Sequence, residues 1–94
     1  MITLNAVLER VRGVDADTLL VWITQEWVRP LRREGQPVFE EVDVARVRLI
    51  VEMRDELQMG EAAIPVVLSL LDELHATRRD MRRLADVMRQ ARRD

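Results

Sequence analysis

The stretch Arg12-Gly13-Val14-Asp15-Ala16-Asp17-Thr18-Leu19-Leu20-Val21-Trp22-Ile23 decides the fold. Gly13 suits the left-handed conformation that ends a helix, so Val7, Leu8 and Val11 before it read as the apolar side of a short first helix. Thr3 or Asn5 can cap that helix. Asp15 can cap a second helix running to about Glu26 or Trp27. Only Arg12-Gly13-Val14 links the two, and two short helices joined this closely form a helix-turn-helix.

Outward from this centre, Val28-Arg29-Pro30-Leu31-Arg32-Arg33-Glu34-Gly35-Gln36-Pro37-Val38-Phe39 reads as a small β-hairpin, or wing, turning near Glu34-Gly35. Its prolines limit ladder hydrogen bonds and keep it an edge structure. A third helix is expected from Glu41 or Val42 to Leu57, with Val44, Val47 and Val51 facing the core and Leu49 and Met53 on another face. A last helix is expected to start near Gly60, because Pro65 is tolerated early in a helix but not deep within one. Along it Ile64, Val67, Leu71, Leu74, Arg78, Met81, Ala85 and Met88 recur at alternating spacings of three and four. That is a heptad seam with one charged break at Arg78. A head of about 60 residues cannot cover a helix of roughly 45 Å, at 1.5 Å per residue, so the seam calls for a second copy of the chain. The expected class is mainly α: a winged helix-turn-helix head over residues 1–58 with a small β-wing, and a long C-terminal dimerisation helix over 59–94, together one compact domain.

The chain has 94 residues, 48% of them hydrophobic and 34% charged, which is the composition of a folded domain rather than a disordered segment. The net charge of −2 is unevenly placed. Residues 1–73 hold 8 Arg and 14 acids, a net of −6, and residues 74–94 hold 7 Arg and 3 acids, a net of +4. Every basic residue apart from His75 is arginine. There is no cysteine, which excludes disulfides and thiolate metal sites and fits a reducing compartment. No apolar run reaches the roughly 18 residues of a membrane span, and the start Met1-Ile2-Thr3-Leu4-Asn5 lacks a secretory pattern. Cytoplasmic location is the expectation.

Little here points to catalysis. His75 is the only histidine, with no cysteine or second histidine to share a metal. Ser69 lies in an apolar run with no base at useful spacing, and Gly13, Gly35 and Gly60 stand apart rather than forming a phosphate loop. The expectation is a non-enzyme without cofactor or metal.

On a wheel of 100° per residue, Ala16, Leu19, Leu20, Ile23 and Trp27 fall on one side of the second helix as its core face. The opposite arc carries Asp17, Thr18, Val21, Trp22 and Gln25, with Asp15 and Glu26 at its edge. A helix-turn-helix reads DNA with this arc, yet here it has no cation, and DNA affinity comes largely from neutralising phosphates. Arg29, Arg32 and Arg33 make the wing basic and are the best argument for nucleic acid. The arc suits a polypeptide better: Val21 and Trp22 offer apolar area, and Asp15, Asp17 and Glu26 a rim favouring a basic partner.

Two resemblances follow. Gly13-Val14-Asp15 with Thr18-Leu19, then Val28-x-Pro30, Gly35, Phe39, Val47 and Ile50, resembles the winged helix-turn-helix of MerR-like regulators over about residues 3–57. Where such regulators carry an Arg and aromatic residues that grip DNA, this chain has Leu20, Val21 and Trp22. Further on, Arg54-x-Glu56-Leu57 and Ile64-x-Val66-x-Leu68-x-Leu70-x-Asp72 resemble the chaperone modulator CbpM family. That resemblance implies a small dimeric module that binds the J-domain of a DnaJ/CbpA-type co-chaperone and inhibits it. Asp15, Asp17, Val21, Trp22 and Glu26 are then the expected J-domain contacts, on the helical wheel alone. The alternative is a MerR-like DNA-binding transcriptional regulator.

Overall fold

Thr3 places its hydroxyl 3.2 Å from the Ala6 amide, which donates to it, and so starts the first helix of a computed structural model that describes residues 1–93. The elements are β1 (Ile2–Thr3), α1 (Leu4–Arg10), α2 (Ala16–Thr24), β2 (Leu31–Arg33), β3 (Gln36–Phe39), α3 (Glu41–Asp55) and α4 (Ala63–Arg93). They divide into two units: Met1–Ile64, and the helix from Pro65 onward.

The turn between α1 and α2 forms as the sequence requires. Gly13 has φ +92°, and a Cβ there would lie 3.0 Å from Val51 Cγ1 and 3.3 Å from Asp55 Oδ2. Both the backbone conformation and the approach of α3 therefore demand glycine. Asp15 Oδ1 accepts the Thr18 amide at 2.8 Å and caps α2.

The end of α2 differs from expectation. The helix stops at Thr24, because Glu26 turns left-handed at φ 63°. The Glu26 amide then donates to Ile23 O at 3.0 Å and the Trp27 amide to Trp22 O at 2.9 Å. These two bonds make a Schellman closure, and its characteristic apolar contact is present: the Trp22 and Trp27 rings stack with centroids 6.1 Å apart.

The wing is the expected hairpin, but it is not an edge structure throughout, because β3, which carries Pro37, is the central strand of the sheet. Glu34 and Gly35 both have positive φ, 52° and 79°, as a two-residue type I′ turn needs. β3 pairs antiparallel with β2 (Leu31 opposite Val38, Arg32 opposite Pro37, Arg33 opposite Gln36) and on its other side with β1 (Ile2 opposite Phe39, Thr3 opposite Val38). In a two-residue hairpin the second pair from the turn exchanges no ladder bonds, so Pro37 sits opposite Arg32 without loss to that pairing. β1 leaves no mark in the sequence, because two residues are too few for an alternation to register.

α3 opens with the Asp43 carboxylate accepting the Glu40 amide at 2.8 Å. Val44, Val47, Ile50 and Met53 are buried along it, whereas Val51 is half-buried against the α1–α2 turn. The expectation placed Val51 in the core and Met53 on another face. The face is rotated because residues spaced by three drift steadily around a helix, and α3 follows that drift across α1, α2 and the sheet. Val7, Val11, Leu19, Trp22, Trp27, Val28, Phe39 and Ile64 are also buried, and among the described residues no polar or charged one is.

In α4, Pro65 occupies the first turn, where its missing N–H is harmless. Asp80 pairs with Arg83 at 2.7 Å and Asp86 pairs with Arg89, each three residues apart.

Candidate interaction surface

The face α2 offers to solvent follows from where the helix stops. Only residues 16–24 share one helical wheel. Leu19 and Trp22 fix the inward direction, leaving Asp17, Leu20, Val21 and Thr24 pointing out. Leu20 is 44% exposed and Val21 50% exposed. Thr24 turns its hydroxyl back to donate to Leu20 O at 3.0 Å. The outward face is therefore two aliphatic side chains beside the Asp17 carboxylate, with Gln25 exposed at the helix end.

Of the five expected contact residues, the structure brings Asp17 and Val21 together on this face. Asp15 is exposed, but its carboxylate is committed to the Thr18 amide and hydroxyl, and these hold its pKa below the ordinary value. Glu26 is exposed at the left-handed corner, beyond the helix. Trp22 is a correction. It is 5% exposed, packed on Trp27 with the Arg54 guanidinium 5.5 Å above its ring, and cannot meet a partner. Trp27 lies past the end of the helix and does not share its wheel; without it the apolar arc turns Trp22 inward and Leu20 outward.

The arginines of the first unit serve largely as staples. Arg10 forks onto Glu41, at 3.0 and 2.7 Å, and joins the end of α1 to the start of α3. Arg48 donates to Arg10 O at 3.4 Å, Arg46 to Trp27 O, and Arg54 to Gly13 O. On the wing, Arg32 donates to Gly35 O at 3.2 Å and Arg33 to Met1 Sδ at 3.7 Å. Arg10 holds Glu41, and Arg54 holds Asp55, below their ordinary carboxylate pKa values; the same pairs raise the two guanidinium pKa values. No cation lies on α2, so the acidic and aliphatic character of its face is unbalanced.

Clefts indent this unit. One of about 380 Å³ lies over the sheet, lined by Met1, Leu31, Val38 and Phe39 with Arg32, Arg33 and Glu40. Another, of about 220 Å³, lies between α1 and α3. Among the described residues no three His, Asp or Glu side chains come together to hold a metal ion, and no helix is long and apolar enough to cross a membrane.

Along α4 the residues of the expected seam differ in exposure. Ile64 is 1% exposed and belongs to the first unit, so it cannot open a seam. Val67, Leu71 and Ala85 are half-buried, whereas Leu74, Arg78, Met81 and Met88 are exposed. Leu70 and Leu84 are exposed as well. They complete a stripe, Leu70-Leu74-Thr77-Met81-Leu84-Met88, that keeps the three-four spacing and has no charged break.

A helix-turn-helix carrying a β-wing and followed by a long helix is the layout of MerR regulators, and residues 2–86 match the family described as MerR HTH family regulatory protein. The chain belongs to this family. Its members are regulators rather than enzymes in general. No curated protein matches the chain, and no solved structure does. Within the MerR-like layout, α2 occupies the place of the DNA-reading helix and β2–β3 the place of the wing.

Proposed function

We propose that this MerR-like chain is a non-catalytic chaperone modulator. It binds the J-domain of a DnaJ/CbpA-type co-chaperone and masks the surface that the J-domain offers to Hsp70. The observation that carries this reading is the outward side of α2, where Asp17 stands beside exposed Leu20 and Val21 with no cation on the helix. A phosphate backbone is repelled by such a face, whereas a basic helix with some apolar surface complements it. The resemblance of residues 54–72 to the CbpM family supports the same partner. The chain acts as a homodimer, joined through the exposed apolar stripe of α4, whose leucines and methionines need a cover that a second copy supplies.

Titration calorimetry of the full chain against a purified J-domain tests this. Binding is expected to weaken as salt is raised, and Asp17→Lys is expected to reduce affinity by about 10- to 100-fold if the contact is central. An unchanged affinity in Asp17→Lys would discard the α2 face, and no binding by the wild type would discard the partner. Membership of the MerR family favours a second reading, DNA-binding regulation. It predicts retarded migration of specific duplex DNA that is lost when Arg32 and Arg33 are both replaced by Ala.

A further inference from the structure

The residue that sets the attitude of the α2 face lies outside it. Arg54 is on the last turn of α3. Its Nη2 donates to the carbonyl of Gly13, in the turn that joins α1 to α2. Its Nε and Nη2 grip the two oxygens of Asp55, at 2.7 and 3.0 Å, which fixes the plane of the guanidinium. Its Cζ lies 5.5 Å from the centroid of the Trp22 ring, and Trp22 stacks in turn on Trp27 just past the end of α2. One side chain thus touches the entrance of α2 through Gly13 and its exit through the paired indoles. Its positive charge also acts on Asp15, the α2 cap.

Only a planar fork can do all of this at once. A guanidinium donates in its plane and stacks across it, whereas an ammonium is a point charge without a face. Gly13 lets the turn come this close, since any Cβ there would meet Val51 and Asp55. The contacts that α2 makes by itself, through Leu19 and the inner side of Trp22, fix its depth in the core. We propose that Arg54 is a positioning residue: it clamps the α1–α2 turn to the end of α3 and thereby holds the Asp17-Leu20-Val21 face in the orientation a partner meets. The role in binding rests on the function proposed above, while the clamp itself does not.

The test uses the full chain with Arg54→Met and, as a milder change that keeps the charge, Arg54→Lys. Amide hydrogen exchange is followed residue by residue. In Arg54→Met the amides of Thr18 and Leu19, which the turn ties to Asp15, are expected to exchange at least about tenfold faster, while those of Val47 and Ile50 stay at their wild-type rates; Arg54→Lys is expected to fall between. Unchanged Thr18 and Leu19 amides in both variants, or an equal acceleration across the whole first unit, would overturn the clamp. A second arm measures J-domain affinity for Arg54→Met, Asp17→Ala and the pair. A positioning role predicts that the two losses do not add, because Asp17 no longer meets its contact once α2 has turned. Additive losses would overturn the positioning role. Absence of any wild-type binding would remove the partner proposed above and leave the exchange arm to decide the clamp.

Discussion

At Gly13 two constraints coincide, a φ of +92° and the approach of Val51 and Asp55 from α3. Gly13→Ala must meet both, and it is expected to destabilise the chain by about 1–3 kcal/mol, read as a lower urea midpoint with unchanged slope. Glu26 is the reverse case. It holds a left-handed corner with a side chain that gains nothing there, since its carboxylate makes no hydrogen bond in the closure of α2. Glu26→Gly is expected to raise stability by about 1 kcal/mol by the same measurement. Asp17 and Val21 were legible as outward because they lie opposite any plausible core. Trp22 was not, because its orientation depends on a helix end that Glu26 imposes without glycine or asparagine to announce it. Arg54 stood out in the sequence only as part of a resemblance. Its clamp joins positions 41 residues apart, beyond the reach of local patterning.

At the scale of elements, helix ends are fastened by carboxylates. Asp15 caps α2, Glu41 at the start of α3 takes the fork of Arg10, and Asp55 at its end takes that of Arg54. All three have pKa values lowered in the fold. A lowered pKa means that the unfolded chain binds protons more readily, so the stability these groups supply is complete above the ordinary carboxylate values of 3.8 and 4.5 and is lost as pH falls through the lowered ones. Thermal midpoints are expected to hold steady from pH 7 to about pH 5 and to decline below about pH 4.5. The double variant Glu41→Gln, Asp55→Asn should start lower and decline less. The elements were the most legible level of the sequence. Asp15, the Glu34-Gly35 turn and the 44–47 spacing each carry a local signal, and α2 and α3 start, and the wing turns, where those signals put them. β1 carries no such signal, because its pairing partner Phe39 lies across the whole head.

For the whole molecule, the exposed stripe from Leu70 to Met88 matters most, since six side chains at heptad spacing face water on a helix of 31 residues. Met81→Glu puts a charge in the middle of that stripe. If a second copy covers it, the dissociation constant measured by sedimentation should rise by about a hundredfold, with helix content falling at low concentration. A wild-type chain that sediments as a monomer at all concentrations would remove the dimer. A sequence shows a period but not its phase: Ile64 continues the three-four spacing into the head core, and the same spacing drawn through the exposed leucines passes Thr77 rather than Arg78. The stacked indoles at the foot of α2 have an experimental consequence. The chain has two tryptophans and no tyrosine, so light absorbed at the red edge of its spectrum is emitted from that one stack beneath Arg54. Its intrinsic fluorescence is therefore a built-in gauge of a single location, and any ligand that rocks α2 announces itself without a label.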